Sequence, residues 1–406
     1  MPGPEILGGG ADRDGAAEPP GPRRSTAARR RWAGIAGTVL VAAAALGLAA
    51  RSLPEPAATP PPTAPTVVLA EPIRFVADVA VGTEFAYVLL GSCVGPEETR
   101  QCRYGVLRRS IAGGGWTATA METGPVAGAT GPARLFATPD DRVTVVDQPT
   151  VGNVHASPNG GDTVTVHALS QGPPVAAVPP GGVIELGLCE SCLSRLTVLE
   201  PATGRLRPLA RGPRLGTNVG IRAFAASGSV LWVLGDGGSR LISAVSLDAG
   251  RTWRVLPVGG AGAPAEVAAL ASDGGRGAYL LVGRAVLPDV RSEWSELWRV
   301  GDPARPGAAW RPLPPIVRPR SAVGLMVTQR GLLVQAEGGA LWRLGPDGQP
   351  RELPPIEVDG VPVHPGRLAA GGRMLLGVLP RSETAPPAVL VSDDDGETWR
   401  VERIPL

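Results

Sequence analysis

The chain has 406 residues, including 56 Gly and 44 Pro, and only 4% of its residues are aromatic. It contains no Lys, so its 39 basic residues are all Arg, and 37 acidic residues leave a formal net charge of +2. Residues 1–51 contain seven Arg and four acidic residues, so the remainder holds 32 Arg and 33 acidic residues, a net charge of −1. This main part lacks the basic excess of a nucleic-acid-binding domain, and no nucleic-acid partner is expected.

The N-terminal 66 residues predict a tail, one membrane span and a linker. Residues 1–31 are rich in Gly, Pro, Ala and charge without an apolar period, which predicts a disordered cytoplasmic tail. Residues 32–51 are predicted to form one transmembrane helix, because the 18 residues of Ala33–Ala50 carry no charge. Residues 52–66 are Pro-rich and predict an extended linker.

The arginines around this segment predict its orientation. Six of the seven Arg residues in this region precede the apolar stretch, so the positive-inside rule places the N-terminus in the cytoplasm. The protein is then a single-pass protein of the cell membrane with the rest of the chain extracytoplasmic. A cleaved signal peptide is the alternative, because Gly47-Leu48-Ala49 resembles a cleavage site, although the long preceding region favours retention.

Short turn motifs recur in residues 67–406. Two eight-residue segments, Ser246–Trp253 and Ser392–Trp399, fit the pattern S-x-D-x-G-x-T-W and join apolar runs. The Asp carboxylate can accept hydrogen bonds from turn amides, and the Gly can adopt a positive φ, so the pattern predicts a hairpin turn. Weaker copies are Ser157–Val164, with Asn for Asp, and Ser110–Trp116, which is one residue short.

The spacing of these turns predicts the fold. Hairpin turns recur near residues 110, 157, 200, 246, 302, 346 and 392, in steps of 43 to 56 residues. A second series of Gly- or Asp-rich turns, expected between the first two strands of each unit, also has seven members: Gly82-Thr83, Asp140-Asp141, Gly181-Gly182, Ser227-Gly228, Asp273–Gly277, Gln329–Gly331 and Gly371-Gly372. These series predict an all-β fold, a seven-bladed β-propeller over residues 67–406, with a β-sandwich as the alternative. The last blade, Arg367–Arg403, is expected to take all its strands from the C-terminus, with Thr66–Leu69 as a candidate additional edge strand.

The turn motif resembles the Asp box of sialidase-type (BNR) β-propellers, which also occurs in photosystem assembly-factor-like propellers. The resemblance implies Asp-box hairpin turns between the third and fourth strands of a blade, away from any active site. It therefore indicates an architecture and does not indicate an activity.

The same resemblance raises the possibility of catalysis. Sialidases use an arginine cluster, a Tyr–Glu nucleophile pair, an Asp and an early Arg-Ile-Pro motif. Here the only such motif is Arg403-Ile404-Pro405 at the C-terminus, and Tyr87, Tyr104 and Tyr279 lie in apolar strand contexts. No catalytic residues, metal or cofactor are therefore expected, and the favoured function is a non-catalytic binding or scaffold module. The alternative is an exo-acting, sialidase-like glycosidase.

The four cysteines form two local pairs. Cys93 and Cys102 bracket the loop between the second and third strands of the first blade, and Cys189 and Cys192 occupy the equivalent loop of the third. A zinc site or a redox centre are alternatives, but the blades are not adjacent and no thioredoxin-like context is present. Two disulfides that staple surface loops are the simpler prediction for an extracytoplasmic domain.

Arginines recur at the start of the predicted innermost strands, near the mouth of the central channel. They are Arg74, Arg134, Arg222, Arg320 and Arg367, and they are the candidate ligand-binding residues. A ring of guanidinium groups would attract a protein or glycan partner with an acidic patch, and the photosystem assembly-factor propellers are known for an arginine patch. The alternative is that each arginine is a structural clip between neighbouring blades.

Overall fold

The computed structural model describes residues 73–404, except 97–99, 128–132, 149–151, 186–195, 217–218, 237–240, 260–264, 285–292, 314–321, 337–338, 346–349 and 381–385. The predicted tail, membrane helix and linker, and the candidate edge strand Thr66–Leu69, lie outside these residues. Within the part that is described, no helix is long and apolar enough to span a bilayer.

The described strands form seven sheets of four or five strands, which follow one another along the chain, and one short two-stranded sheet. Blade 1 contains β1 (Ile73–Val81), β2 (Phe85–Val94), β3 (Gln101–Ser110), β4 (Thr117–Glu122) and β5 (Val126–Ala127). Blade 2 contains β6 (Arg134–Ala137), β7 (Val143–Val146), β8 (Asn153–Ser157) and β9 (Thr165–Ala168). Blade 3 contains β10 (Ser170–Gln171), β11 (Val183–Glu185), β12 (Thr197–Glu200) and β13 (Arg205–Pro208). Blade 4 contains β14 (Gly220–Ser227), β15 (Val230–Asp236), β16 (Leu241–Ser246) and β17 (Arg254–Pro257).

The remaining three blades complete the ring. Blade 5 contains β18 (Ala265–Ser272), β19 (Ala278–Arg284), β20 (Glu293–Val300) and β21 (Arg311–Pro312). Blade 6 contains β22 (Ala322–Thr328), β23 (Gly331–Ala336), β24 (Leu341–Leu344) and β25 (Pro350–Glu352). A short hairpin of β26 (Glu357–Val358) and β27 (Val361–Pro362) precedes blade 7, which contains β28 (Leu368–Gly371), β29 (Met374–Val378), β30 (Ala388–Ser392) and β31 (Arg400–Arg403). The predicted seven-bladed all-β propeller is confirmed.

Apolar second strands hold neighbouring blades together. In β7 all four residues are buried, and in β15 the run from Val230 to Leu234 is buried around Trp232, which is fully enclosed. Such continuous apolar runs are buried on both faces, because each blade packs between two others. Trp232 of blade 4 meets Trp310 of blade 5 edge to face, with ring centroids 5.6 Å apart. The core is therefore a series of layers between blades.

Blade 3 departs from the predicted pattern. The residues before the Gly181-Gly182 turn do not form an innermost strand, because they run along the outer edge of the blade. There β10 pairs with β13 in parallel, and the Val175 amide donates to the Pro208 carbonyl at 2.9 Å. Pro173-Pro174 and Pro179-Pro180 explain the difference, since proline cannot donate to a strand ladder.

The ring closes between its first and last blades without an exchanged strand among the described residues. All four strands of blade 7 come from the C-terminus, as predicted. One apolar cluster contains Val79 and Val88 of blade 1 together with Leu376 and Val391 of blade 7. At the same junction Glu402 accepts hydrogen bonds from the Arg109 guanidinium at 2.5 Å and from the Trp116 indole at 2.8 Å. Packing and ion pairs therefore close the propeller.

Three turns with the same hydrogen-bond network lie between third and fourth strands. We call these the acidic turns: Ser157–Thr163, Ser246–Thr252 and Ser392–Thr398. In each turn the Ser hydroxyl donates a hydrogen bond to the Asn or Asp side chain and accepts one from the Gly amide. The same side-chain oxygen of Asn or Asp also accepts a hydrogen bond from the Thr amide, at 2.8–3.0 Å. The fourth residue has a positive φ in all three copies, namely Gly160, Ala249 and Asp395. Blades 2, 4 and 7 therefore share one turn structure between their third and fourth strands.

The pH dependence of the free energy of unfolding tests the contribution of Asp248 to this network. A hydrogen bond from Thr252 is the main cause that lowers the pKa of Asp248 to about 2. Because the folded pKa lies below the ordinary value of 3.8, the stabilisation is present above about pH 4 and is lost as the pH falls towards 2. Asp248→Asn should remove this part of the acid destabilisation while changing neutral stability little, since Asn159 fills the same role in blade 2. Urea unfolding measured between pH 2 and 7 checks this.

Asp248→Ala is the matched comparison, and it should cost about 1–2 kcal/mol at pH 7, because the Thr252 amide loses its acceptor. Equal stability of the Asn and Ala variants would show that the network contributes nothing.

Candidate binding face

The start of β1 and the disulfide-bonded loop of blade 1 lie at the same end of the blade. Arg74 pairs with Ser92 across β1 and β2, and Cys93 pairs with Cys102 across β2 and β3. Cys93 and Cys102 form a disulfide, as predicted. Cys189 and Cys192 lie outside the described residues. We call this end of the blades, opposite the acidic turns, the channel-mouth face.

A cleft of about 590 Å³ opens beside Arg74, and we call it the blade-7 cleft. One wall is the hairpin β26–β27, which contributes Glu357 and Asp359, and the last strand contributes Arg403. These two acids and two arginines are exposed, and none of the four has an ion-pair partner among the described residues. Phe75 and prolines of blade 7 supply apolar lining. The cleft therefore offers unpaired charges of both signs beside an apolar surface.

One of the predicted arginines, Arg367, pairs with a buried carboxylate that the prediction did not include, that of Asp78, and the charge of a second, Arg134, acts on the same group. Asp78 in β1 is 1% exposed and accepts the Leu135 amide of blade 2 at 2.9 Å. Arg367 of blade 7 donates to the same carboxylate at 3.0 Å. Burial raises the pKa of Asp78, while Arg367, backbone amides and the charge of Arg134 oppose that shift. The carboxylate thus links blades 7, 1 and 2, and Arg367 acts as a clip between blades.

Strand register explains why these groups meet. Arg367, Asp78 and Arg134 each lie four residues before the residue that begins the first turn of their blades, at Gly371, Gly82 and Thr138. They therefore occupy equivalent positions in three consecutive blades.

The other predicted arginines have different positions. Arg74 lies four residues earlier in β1 than Asp78, at the exposed start of the strand. Arg222 is exposed and occupies a β-bulge between Ile221 and Ala223. Arg320 lies outside the described residues. The structure therefore pairs Arg367 with Asp78, leaves Arg134 to act on that carboxylate through its charge, and places Arg74 in the blade-7 cleft.

Two of the three tyrosines are core residues. Tyr87 is fully buried, and its hydroxyl donates to Asp141 at 3.3 Å, while Tyr104 is 7% exposed. Neither can meet a ligand in an open cleft. The described residues contain no group of three or more His, Cys, Asp or Glu residues that could hold a metal ion.

Comparisons with known proteins give only distant similarities. No family model matches the chain, and no curated protein matches its sequence. Among solved structures, PorZ, a surface component of the type-IX secretion system of Porphyromonas gingivalis, is similar with 11% identity and a TM-score of 0.42 over 83% of this chain and 39% of PorZ. AztD from Citrobacter koseri is similar with 11% identity and a TM-score of 0.42 over 82% of this chain and 94% of AztD.

A third similar structure is the β-propeller domain of the Trilobed protease from Pyrococcus furiosus, with 8% identity and a TM-score of 0.36 over 82% of this chain and 86% of that chain. Similarities this weak carry no information about the site of this chain.

Proposed function

We propose that this protein is a membrane-anchored, extracytoplasmic propeller whose channel-mouth face binds a protein or glycan partner without converting it chemically. The blade-7 cleft is the centre of the proposed site. Its unpaired charges are the observation that carries the proposal, because most other acidic groups in the fold are already engaged by arginines or amides. An exposed cleft with free charges of both signs can bind a partner that presents complementary charges.

The rigidity around the cleft supports the same role. The Cys93–Cys102 disulfide fixes the loop next to Arg74, and functional loops held by a rigid scaffold lose little entropy on binding. The buried positions of Tyr87 and Tyr104 disfavour the alternative of an exo-acting glycosidase. Turnover of a sialoside or another glycoside by the purified protein would support that alternative instead.

The membrane anchor and the family form part of this proposal. The apolar segment Ala33–Ala50 and the preceding arginines support a retained span with the propeller outside. Resistance of the full-length protein to carbonate extraction, with the propeller accessible to protease in spheroplasts, tests this topology. We further assign the acidic turns to the Asp-box repeat of sialidase-type and photosystem assembly-factor-like propellers, which their repeated hydrogen-bond network supports.

The double variant Arg74→Ala/Arg403→Ala tests the proposed site. The partner is first captured by the full-length protein from membranes of its own cells, and its affinity is then measured by surface plasmon resonance. We expect the double variant to weaken binding about tenfold, since two charge contacts are lost. The melting temperature should stay nearly unchanged, because both side chains are exposed and unpaired among the described residues.

Arg305→Ala/Arg311→Ala is the matched control, since it removes two exposed arginines from blade 5. Equal loss of binding in this control would assign the effect to net charge and would refute the proposed site.

A further inference from the structure

A second cleft, of about 710 Å³, lies at the outer rim of the propeller between blades 3 and 4. We call it the rim cleft. One wall is the segment Ala210–Arg214, which follows the outer strand β13. The other wall is the end of the blade 4 acidic turn with the start of β17. The rim cleft is separate from the channel-mouth face and does not depend on the function proposed above.

The rim cleft is strongly positive. Arg211, Arg214 and Arg251 line it and are exposed, and no acidic side chain does so. The carboxylate of the nearby Asp248 is directed into its own turn, where it accepts hydrogen bonds from Ser246 and Thr252, and it forms no ion pair with these arginines. None of the three arginines has an ion-pair partner within the described ranges.

Several arginines elsewhere in the fold are paired with nearby acids. Arg108 pairs with Asp162 at 2.7 Å, and Arg207 pairs with Glu200 at 2.6 Å. The arrangement in the rim cleft differs from these pairs. Among the residues that the structure describes, Arg251 donates only to the Asp248 backbone carbonyl, at 3.3 Å, so all three guanidinium groups keep donors for an anionic ligand.

The backbone that carries these arginines is fixed. The Trp253 indole donates to the Arg211 carbonyl at 2.8 Å and to the Gly250 carbonyl at 3.1 Å. This single side chain ties the two walls of the cleft together. Binding would therefore require ordering of the arginine side chains but not of their main chain, which lowers the entropic cost.

The floor of the rim cleft is an edge strand with an exposed apolar residue. Within the described residues, β17 pairs only with β16, so its other edge is open. Val255 in this strand is 41% exposed and lines the cleft. At the rim of blade 3 the chain itself adds a strand, because β10 pairs with the outer edge of β13. The rim of this propeller thus accepts an additional extended segment.

We propose that the rim cleft binds an acidic peptide segment in extended conformation. The segment adds a strand to the open edge of β17, as in other cases of β-strand addition. Its acidic side chains pair with Arg211, Arg214 and Arg251, and an apolar side chain covers Val255.

Fluorescence anisotropy with the full-length protein tests this site. The probe is a labelled peptide of about ten residues that alternates Glu and Val, compared with the same peptide carrying Gln in place of Glu. We expect the Glu peptide to bind about tenfold more tightly than the Gln peptide, and its affinity to fall with added salt. This comparison requires no variant of the protein.

The triple variant Arg211→Gln/Arg214→Gln/Arg251→Gln should weaken binding of the Glu peptide about tenfold. The control Arg305→Gln/Arg311→Gln/Arg373→Gln removes the same charge from exposed positions elsewhere, and it should leave the affinity within about twofold. A Glu peptide that is N-methylated at alternate residues should bind weakly, because it cannot pair with β17.

Three results would overturn the proposal. They are equal affinity for the Glu and Gln peptides, equal affinity of the triple variant and the wild type, and binding of heparin or polygalacturonate without binding of the Glu peptide. The Arg74→Ala/Arg403→Ala variant should bind the peptide as the wild type does, so failure here is distinguishable from failure of the proposed function.

Discussion

Asp78→Ala is expected to lower the free energy of unfolding by about 3–5 kcal/mol, because three blades lose a shared acceptor. Asp78 is 1% exposed, and its two carboxylate oxygens accept the Val79 and Leu135 amides at 2.8 and 2.9 Å. Removal of the side chain leaves two buried backbone donors unsatisfied. It also leaves the guanidinium group of Arg367 without its acid. Equilibrium denaturation in urea at pH 7 measures the loss.

Two variants separate the contribution of the backbone hydrogen bonds to Asp78 from that of its ion pair with Arg367. Asp78→Asn should still cost about 2 kcal/mol, since each oxygen faces a backbone donor and an amide nitrogen cannot accept. Arg367→Gln should cost about 1–2 kcal/mol, less than Asp78→Ala, because the Arg367 side chain is 42% exposed and two backbone amides still bond the buried carboxylate. If Arg367→Gln were as destabilising as Asp78→Ala, the ion pair rather than the backbone contacts would hold the blades.

Asp395→Ala is expected to destabilise the protein by about 2–4 kcal/mol, because a backbone amide and a hydroxyl of blade 6 lose their acceptor and the buried Arg343 loses one of its two carboxylates. Asp395 is fully buried in the acidic turn of blade 7. Its carboxylate accepts the Arg330 amide at 2.7 Å and the Thr328 hydroxyl at 3.0 Å, both from blade 6. Arg343, whose side chain is 5% exposed, lies 3.6 Å from the same carboxylate and 3.0 Å from that of Glu397.

The backbone should tolerate the alanine. Asp395 has a φ of 69°, and Ala249 occupies the equivalent position of the blade 4 turn with a φ of 58°. The measured loss then reports on the carboxylate and not on strain. Asp393→Ala is the matched control in the same turn, and it should cost less than about 1 kcal/mol. Asp393 and its partner Arg400 are both well exposed, and its more distant partner, the buried Arg109, keeps Glu402 at 2.5 Å.

A double-mutant cycle with Arg343→Leu isolates the coupling energy between Asp395 and Arg343. We expect the double variant Asp395→Ala/Arg343→Leu to be about 1–3 kcal/mol more stable than the sum of the single effects predicts. The reason is that Arg343→Leu leaves the buried Asp395 carboxylate without its arginine, a cost that the double variant avoids. Additive effects would contradict a coupled pair, and denaturant titration of the four proteins decides between these outcomes.

The propeller was predictable because its turns are local. A hairpin turn such as Ser246–Trp253 draws its hydrogen-bonding groups from a few neighbouring residues, so its pattern is visible in the sequence. The Cys93–Cys102 disulfide was predictable for the same reason, since both cysteines flank one hairpin. The C-terminal origin of blade 7 followed from counting turns.

The features that the sequence did not predict depend on contacts between residues that are far apart in the sequence. Asp78 bonds to Leu135, 57 residues away, and to Arg367, 289 residues away, so no local pattern marks it. Its position could be found only by counting back from the first turn in each blade. The prolines around Val175 are a sequence signal against an innermost strand in blade 3. The prediction missed this signal because it rested on the series of turns alone. The blade-7 cleft depends on the hairpin β26–β27, which has no counterpart among the predicted turns.

Site-specific photo-crosslinking in intact cells tests the proposed binding face most directly. A photoreactive amino acid replaces Asp359 in the blade-7 cleft, and in a separate variant it replaces Arg276, which is 58% exposed in the first turn of blade 5 at the opposite ends of the strands. We predict a discrete cross-linked product from position 359 that Arg74→Ala/Arg403→Ala reduces, and none from position 276. Cross-linking from position 276 alone, or from 359 with no effect of the arginine variants, would contradict binding at the channel-mouth face.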